Sequence, residues 1–215
     1  MEQWYLYKKK ADFTKIGEKF QIDPVIARLI RNRDVIGDEE IHKYLYGNLS
    51  DISDPFLMKG VREGVDIIRE KIRDRKTIRI ISDYDVDGVV SNYILWKAIY
   101  DLGGMIDFQI PDRMKDGYGI NENIIEKAVE DQIDTILTCD NGIAASEAIR
   151  FGKEHGLTMI ITDHHDVPFI LNEDGSKEEI LPPADVVINP KQKECKYPYP
   201  LLCGAGVAFQ FVRAL

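Results

Sequence analysis

Five short apolar runs alternate with helical segments after Thr77, and this alternation constrains the fold more than any other feature of the sequence. Segments with helical patterns occupy about 88–102, 121–131 and 144–155, between the first four runs. The runs are rich in Ile, Val and Thr, as strands buried on both faces should be; they are TIRIIS, MIDFQI, DTILTC, LTMIIT and ADVVI. Strands joined through helices make right-handed crossovers. We therefore predict an α/β fold with a doubly wound, mainly parallel five-stranded sheet.

A small helical N-terminal segment is predicted before this sheet. Asp23 is suited to be an N-cap and Pro24 to be the first helical residue. Apolar residues then recur at helical spacing; they are Val61, Val65, Ile68 and Ile72. We expect residues 1–76 to form a helical segment that packs on the core, and residues 77–215 to form the main domain. The polar insertion LNEDGSKEEILPP, before the fifth strand, is predicted to be a surface loop.

The composition is that of an ordinary globular protein, with 44% hydrophobic and 30% charged residues in 215. No apolar run approaches the roughly 20 residues that span a membrane, and the N-terminal sequence lacks an apolar signal segment. We therefore expect a cytoplasmic protein without a membrane partner. The three cysteines form an odd set without C-x-x-C spacing, so we expect reduced thiols rather than disulfides or a zinc site.

The negative charge lies in the second part of the chain. The formal net charge is −9; residues 1–76 hold 16 Lys and Arg against 14 Asp and Glu, whereas residues 77–215 hold 12 against 23. Nucleic-acid-binding surfaces are usually basic, so this acidity argues against a passive DNA-binding surface. Acids gathered in one site can instead hold cations, which reverse the sign of the local field.

Acidic residues or histidines directly follow three of the predicted strands. The first strand is followed by DYDVDG (83–88), the third by DNG (140–142) and the fourth by DHH (163–165). Ligands of open parallel sheets bind beyond the carboxyl ends of the strands, where these loops converge. The sequence therefore predicts one site at this edge of the sheet.

The chemistry of these side chains favours divalent cations. Asp83, Asp85 and Asp87 would face one way if their segment were extended, and three close carboxylates repel one another or take up protons. Oxygen ligands with one or two imidazoles suit Mn²⁺, Mg²⁺ or Fe²⁺ better than structural zinc. The number of potential ligands favours two ions sharing a carboxylate. Ions about 3.5 to 4 Å apart can activate a water for phosphoryl displacement, so we predict phosphoester hydrolysis.

Each motif taken alone has a simpler interpretation. DYDVDG could be a calcium loop or a capped turn, although the EF-hand pattern fails for lack of a Glu at the twelfth position. TCDNG could be an ordinary turn, and DHH could be polar surface. Three such motifs at consecutive strand ends make a common site the stronger interpretation.

These motifs also resemble a known family. SDYDVDG, TCDNG and TDHH resemble the first three signatures of the DHH phosphoesterases, and LCGAGVAF (202–209) resembles the fourth. Within that superfamily, the lead-in DPFLMKGVREGVDIIREKI and the segments IPDRMKDGYGIN and INPKQ...YPYPLLCGAGVAF resemble the RecJ family. That resemblance implies a Mn²⁺- or Mg²⁺-dependent exonuclease that degrades single-stranded DNA from 5′ to 3′ in repair and recombination. It also implies a helicase and a single-strand-binding protein as partners.

The resemblance assigns roles to individual residues. The implied metal ligands are Asp83, Asp85, Asp87, Asp140 and His164. His165 matches the histidine expected to contact the scissile phosphate. We expect Asp163 to orient an imidazole rather than to bind metal.

Three further residues are candidates for contacting substrate. Gly204 and Gly206, at the start of a predicted helix, could bring backbone N–H groups to a phosphate, or could allow tight helix packing. Arg113, after the second strand, could bind a phosphate or form a solvent-facing ion pair.

Alternative functions remain open at this point. The RecJ pattern continues with a further metal-binding Asp, a DHH-associated domain and an oligonucleotide-binding fold, so we expect the DHH domain here to be truncated at its C-terminal end. One alternative is a DHH phosphodiesterase for oligoribonucleotides or cyclic dinucleotides. Another is a non-catalytic RecJ-like scaffold, which should have lost metal ligands.

Overall fold

The computed structural model describes residues 3, 9–114 and 119–215, which fall into two compact units, Met1–Ser53 and Asp54–Leu215. The predicted helical segment 1–76 includes residues 1, 2 and 4–8, and the RecJ-like stretch 110–121 includes residues 115–118. Those positions lie outside the described residues.

Three short helices form the first unit. They are α1 (Phe13–Phe20), α2 (Pro24–Asn32) and α3 (Asp38–Tyr46). The side chain of Asp23 accepts a hydrogen bond of 2.8 Å from the N–H of Val25, so the predicted cap of α2 is confirmed. Phe20, Ile30 and Ile41 form the small core of this unit.

The second unit contains a five-stranded sheet with helices on both faces. Its elements are α4 (Val61–Arg73), β1 (Thr77–Ser82), α5 (Val86–Asp101), β2 (Met105–Gln109), α6 (Glu122–Glu130), β3 (Thr135–Cys139), α7 (Ser146–Glu154), β4 (Thr158–Thr162), β5 (Phe169–Leu171), β6 (Lys177–Glu179), β7 (Val186–Ile188) and α8 (Gly204–Ala214). The sheet order is β2-β1-β3-β4-β7, and every pair in it is parallel. The predicted fold class and its five strands are confirmed. No helix within the described ranges is long and apolar enough to cross a membrane.

Two hydrophobic clusters hold the helices to opposite faces of the sheet. Ile80 and Ile81 are neighbours in β1, yet they belong to different clusters, because successive side chains of a strand point to opposite faces. One cluster includes residues of α4, α5 and α8, and the other includes residues of α6 and α7. This is the layered arrangement of a doubly wound sheet.

Helix α4 belongs to the second unit. It contacts β7 and α8, and a Cβ at Gly64 would lie 2.8 Å from the side chain of Ile188 and 3.1 Å from that of Phe211. The compact units therefore divide after Ser53, whereas the sequence pattern placed the division after residue 76. The difference arises because the apolar side chains of α4 pack in the same hydrophobic cluster as residues of the sheet, so α4 does not share a core with the first three helices.

Strand β2 differs from the prediction that all strands are buried on both faces. It lies at the edge of the sheet, where β1 is its only strand neighbour. Phe108 is 56% exposed and Met105 is 50% exposed. Apolar composition predicted the strand correctly but could not tell an edge position from a central one.

The polar insertion predicted as a loop contains a β-hairpin. Strands β5 and β6 pair antiparallel, and the N–H of Asn172 donates to the carbonyl of Ser176 over 2.9 Å. Gly175 takes a φ of +80° in the connecting turn, a conformation that favours glycine. Each strand is only three residues long; β5 (Phe-Ile-Leu) is apolar but exposed and β6 (Lys-Glu-Glu) is charged, so neither is long enough to show the alternating pattern on which strand prediction depends.

Candidate metal centre

Three neighbouring parallel strands end in register, and an aspartate directly follows each of them. Ser82 of β1 is in register with Cys139 of β3, and Cys139 is in register with Thr162 of β4. The next residues along the chain are Asp83, Asp140 and Asp163, and all three are buried. The predicted convergence of these loops at the carboxyl edge of the sheet is what the structure shows.

Two groups of potential metal ligands share one carboxylate. Ligand atoms of Asp83, Asp85 and Asp140 lie within 4.8 Å of one another, and so do ligand atoms of Asp140, His164 and His165. Asp140 therefore stands between the acidic group and the imidazole group. From the sequence we expected two ions that share a carboxylate, and the position of Asp140 in both groups is suited to that role.

The environment of Asp140 suits a bound cation. Asp140 is 2% exposed, and its Oδ1 finds no hydrogen-bond partner among the described residues. The Nε2 atom of His164 lies 2.9 Å from this oxygen without the geometry of a hydrogen bond. Burial, followed by repulsion from the carboxylates of Asp87 and Asp85, raises the pKa of Asp140 to about 8. A positive ion would relieve this repulsion and satisfy the buried oxygen, so the residues present fit a metal.

His164 is held in the neutral form that a metal ligand requires. Burial, and then the neighbouring His165, lower the pKa of His164 below the usual value for histidine. Its Nε2 atom faces Asp140 and also lies 3.5 Å from Oδ2 of Asp87. A neutral imidazole beside a buried carboxylate is a typical donor pair for a divalent ion.

Asp163 fixes the loop that carries both histidines. Its Oδ1 accepts hydrogen bonds from the backbone N–H of His164 and His165 and lies 2.8 Å from Nδ1 of His165; its Oδ2 accepts from the N–H of Ile143. Burial alone would raise the pKa of Asp163, but the hydrogen bonds from His165 and Ile143 outweigh it and lower the pKa. The same contact with Asp163 raises the pKa of His165. The carboxylate therefore accepts a hydrogen bond from Nδ1–H of His165, and Nε2 on the other side of the ring can face a different group.

Asp87 does not extend the row formed by Asp83 and Asp85. Helix α5 begins at Val86, with the side chain of Asp85 capping it through Gly88, so the chain turns before Asp87. The carboxylate of Asp87 accepts hydrogen bonds of 2.7 and 2.8 Å from the N–H groups of Gly204 and Ala205. The expected extended geometry is thus wrong for Asp87, because a helical start replaces the extended segment.

The glycines at the start of α8 have different surroundings. The N–H of Gly204, predicted to approach a phosphate, already donates to Asp87. A Cβ at Gly204 would lie 2.7 Å from both Cβ and Oδ1 of Asp140, so only glycine allows this helix to approach the centre. A Cβ at Gly206 would meet only the Leu202 side chain, at 3.2 Å or more. For Gly204 the structure therefore agrees with tight helix packing, which the sequence offered as the alternative to a phosphate contact.

Arg113 lies near the first acidic motif. Its guanidinium carbon is 5.6 Å from the ring centroid of Tyr84, the residue between Asp83 and Asp85 in the motif. The side chain is exposed, so it can present a positive charge close to the acidic edge.

Asn141 is a residue that the sequence analysis missed. It is 4% exposed, and neither Oδ1 nor Nδ2 of its side chain has a hydrogen-bond partner in the described part of the chain. The motif TCDNG contained the only signal, but an Asn before Gly is also common in turns.

The comparison with protein families agrees with this geometry. The DHH family, N-terminal domain, matches residues 77–214. The chain belongs to the DHH family. The match begins at β1 and includes all the strands and loops that form the centre of this DHH-family chain.

Curated relatives of this DHH-family chain carry one name. The chain is 37% identical over 214 residues to the single-stranded-DNA-specific exonuclease RecJ of Bacillus subtilis (strain 168), covering 99% of the chain and 26% of the relative. It is 31% identical over 197 residues to the protein of the same name from Escherichia coli (strain K12), covering 91% of the chain and 32% of the relative. The chain thus spans about a quarter to a third of the length of these relatives.

Solved structures with similar folds bear related titles. One is described as exonuclease RecJ bound to manganese, with a TM-score of 0.59, 33% identity and coverage of 74% of this chain and 37% of that one. Another is RecJ in complex with Mn²⁺ from Thermus thermophilus, with a TM-score of 0.62, 26% identity and coverage of 94% of this chain and 26% of that one.

Replacing the two glycines of α8 should have unequal effects. We expect Gly204→Ala to lower the free energy of unfolding by about 1–3 kcal/mol, because the added methyl overlaps Asp140 and its neighbours must move. Gly206→Ala is the matched control, in the same helix with a flexible neighbour; it should change stability by less than about 1 kcal/mol. Urea denaturation of both variants measures the difference. Equal stabilities would show that α8 does not depend on its approach to Asp140.

Proposed function

We propose that this chain carries the metal-dependent phosphodiesterase centre of a RecJ-type exonuclease, acting on single-stranded DNA from 5′ to 3′ in DNA repair and recombination. The observation that carries the proposal is the buried oxygen of Asp140, which lacks a hydrogen-bond partner among the described residues and faces His164. The names of the curated relatives supply the substrate.

The cofactor proposed is Mn²⁺ or Mg²⁺, with two ions. Solved relatives are described as complexes with Mn²⁺ or Mg²⁺, although the magnesium complex is only 22% identical to this chain. The proposed ligands are Asp83, Asp85, Asp87, Asp140 and His164. Ligand atoms of Asp83, Asp85 and Asp140 form one close group, Asp140 stands in a second with His164 and His165, and Asp87 lies 3.5 Å from His164. When bound, the ions would stabilise negative charge on the phosphoryl oxygens and activate a water for attack.

Asp87 has a separate role in this proposal. Both its oxygens accept hydrogen bonds from the start of α8, and one lies 3.5 Å from Nε2 of His164. We propose that it holds α8 and His164 in place and also binds an ion, because each of its oxygens keeps a lone pair after accepting one backbone hydrogen bond.

His165 would act on the substrate rather than on the metal. Asp163 accepts a hydrogen bond from the Nδ1–H of His165 and keeps this ring in one orientation, while the raised pKa of His165 favours the form with a second proton on Nε2. That N–H can donate to a non-bridging phosphate oxygen as charge builds during displacement. Ligand atoms of Asp140, His164 and His165 lie within 4.8 Å of one another, which supports a role for this donor beside a phosphate bound at the ions.

Arg113 is proposed to bind a phosphate of the strand. Its position near Tyr84 would place a positive charge beside an edge that is otherwise acidic. Gly206, unlike Gly204, remains a candidate for a backbone contact to phosphate, because Asp87 contacts Gly204 and Ala205. A helicase and a single-strand-binding protein are the proposed partners, and the cytoplasm is the proposed location.

A non-catalytic scaffold is the weaker alternative, because the acidic and imidazole side chains converge instead of being lost. The deciding experiment is Mn²⁺-dependent hydrolysis of 5′-labelled single-stranded DNA, duplex DNA and a cyclic dinucleotide by the chain extended to the length of its curated relatives, because this chain, which spans about a quarter to a third of that length, is expected to be weakly active or inactive by itself. Mononucleotide release from the single strand alone supports the proposal. Cleavage of the cyclic dinucleotide alone would assign the centre to the small-substrate phosphodiesterases. Bound Mn²⁺ without any cleavage would support the scaffold.

Variants should separate metal binding from turnover. We expect His165→Ala to keep its Mn²⁺ affinity within about threefold and to lose about 10²–10⁴-fold in kcat, because it removes a donor to the phosphate. Asp140→Ala and Asp85→Ala should lose Mn²⁺, since they remove ligands of one or both groups. Calorimetric titration with Mn²⁺, alongside hydrolysis rates, measures both quantities.

His42→Ala is the matched control, because His42 is an exposed histidine of the first unit. It should change neither Mn²⁺ affinity nor kcat. Equal loss of Mn²⁺ from His165→Ala and Asp140→Ala would contradict the proposed division between a substrate-facing histidine and a metal-holding carboxylate.

A further inference from the structure

A cleft leads away from the proposed reaction centre between the N-terminal ends of α6 and α7. It consists of two cavities of about 290 and 740 Å³, which share Ile120, Ala144 and Ala145 in their walls. The smaller cavity is also lined by His165 and Asn141, and the larger one reaches the first turns of both helices. The cleft thus begins at the histidine assigned to the scissile phosphate and has room for a group the size of a nucleoside.

The amide of Asn141 points to a polar ligand in this cleft. The side chain is 4% exposed, and within the described residues neither its oxygen nor its nitrogen has a hydrogen-bond partner. Buried amides are nearly always paired in folded proteins, so an unpaired one needs an explanation. Its donor and its acceptor together match the hydrogen-bonding edge of a nucleobase.

The charge of the walls excludes phosphate as the ligand of the larger cavity. Glu122 and Glu147 line it, and each lies in the first turn of its helix, where a carboxylate already complements the positive end of the helix dipole. Their negative charges would repel a phosphate. The same oxygens can accept hydrogen bonds from amino groups of an uncharged ligand. Ile120 and the two alanines add apolar surface, which suits the face of a flat ring.

We propose that this cleft is a subsite for the base of the nucleotide whose phosphate reacts at the metal centre. The inference rests on the proposed function and adds a location for the base. Asn141 contacts the edge of the base, and Glu122 and Glu147 accept hydrogen bonds from exocyclic amino groups. Cytosine, adenine and guanine carry such a group and thymine does not. The subsite therefore favours deoxycytidine monophosphate over thymidine monophosphate.

The test compares three ligands on the Mn²⁺-loaded chain by calorimetry: deoxycytidine monophosphate, thymidine monophosphate and inorganic phosphate. In the wild type, deoxycytidine monophosphate should bind about tenfold more tightly than phosphate and about threefold more tightly than thymidine monophosphate. Ala145→Leu fills the cleft, so it should lower the affinity for deoxycytidine monophosphate about tenfold and leave the affinity for phosphate unchanged. Ala98→Leu, at a partly buried position of α5 outside the cleft, is the matched control and should change neither.

A second variant tests the subsite even if Ala145→Leu fails to fold. Glu147 is exposed, so Glu147→Ala should fold, and it should reduce the preference for deoxycytidine over thymidine monophosphate. Equal affinities of wild type for the nucleotide and for phosphate would overturn the subsite, as would an unchanged nucleotide affinity in Ala145→Leu. If phosphate binds with Mn²⁺ and single-stranded DNA is hydrolysed, such results refute the subsite alone. Absence of Mn²⁺ binding refutes the proposed function and the subsite together.

Discussion

The buried carboxylate of Asp140 is the constraint on which the rest of the site depends. Parallel pairing of β1, β3 and β4 delivers acids to one level, and Asp140 is at the centre of them. Its pKa is raised to about 8 by burial and by the neighbouring carboxylates. Crowded acids are costly without a counter-charge. A bound cation would offset this cost, and the paired strands hold the candidate ligands close together.

Asp87 connects the first acidic loop to the last helix of the described chain. Its contacts with Gly204 and Ala205 join residues more than a hundred positions apart, and Gly204 allows α8 to approach Asp140. The loop after β1 and the start of α8 therefore support each other around the centre. Asp163 does the same for the histidines through Ile143 and the backbone of its own loop. Positioning by such contacts is what a phosphoryl-transfer centre requires, because orientation provides much of the catalysis.

Periodicity and strand-end chemistry were enough to predict the parallel sheet and its five strands, together with the convergence of Asp83, Asp140 and Asp163. Those features follow from local pattern and from the rule that strand ends meet at one edge. Local pattern could not show that Asp87 turns toward α8, that β2 lies at an edge or that the amide of Asn141 has no hydrogen-bond partner in the described ranges. Each of these three features depends on contacts between residues that are far apart in the sequence. The hairpin β5–β6 escaped prediction because each strand has only three residues, too few to show a period-two pattern.

Divalent ions, on this interpretation, bind between the acidic group and the imidazole group through Asp140. Anomalous X-ray diffraction from crystals of the chain grown with Mn²⁺ would locate them. We expect two manganese peaks, both about 2.0–2.6 Å from ligand oxygens or nitrogens, with Asp140 contacting both, His164 contacting one and Asp87 still bound to the N–H groups of α8. Peaks that avoid Asp140, or no peak at this edge of the sheet, would contradict a metal centre built on Asp140.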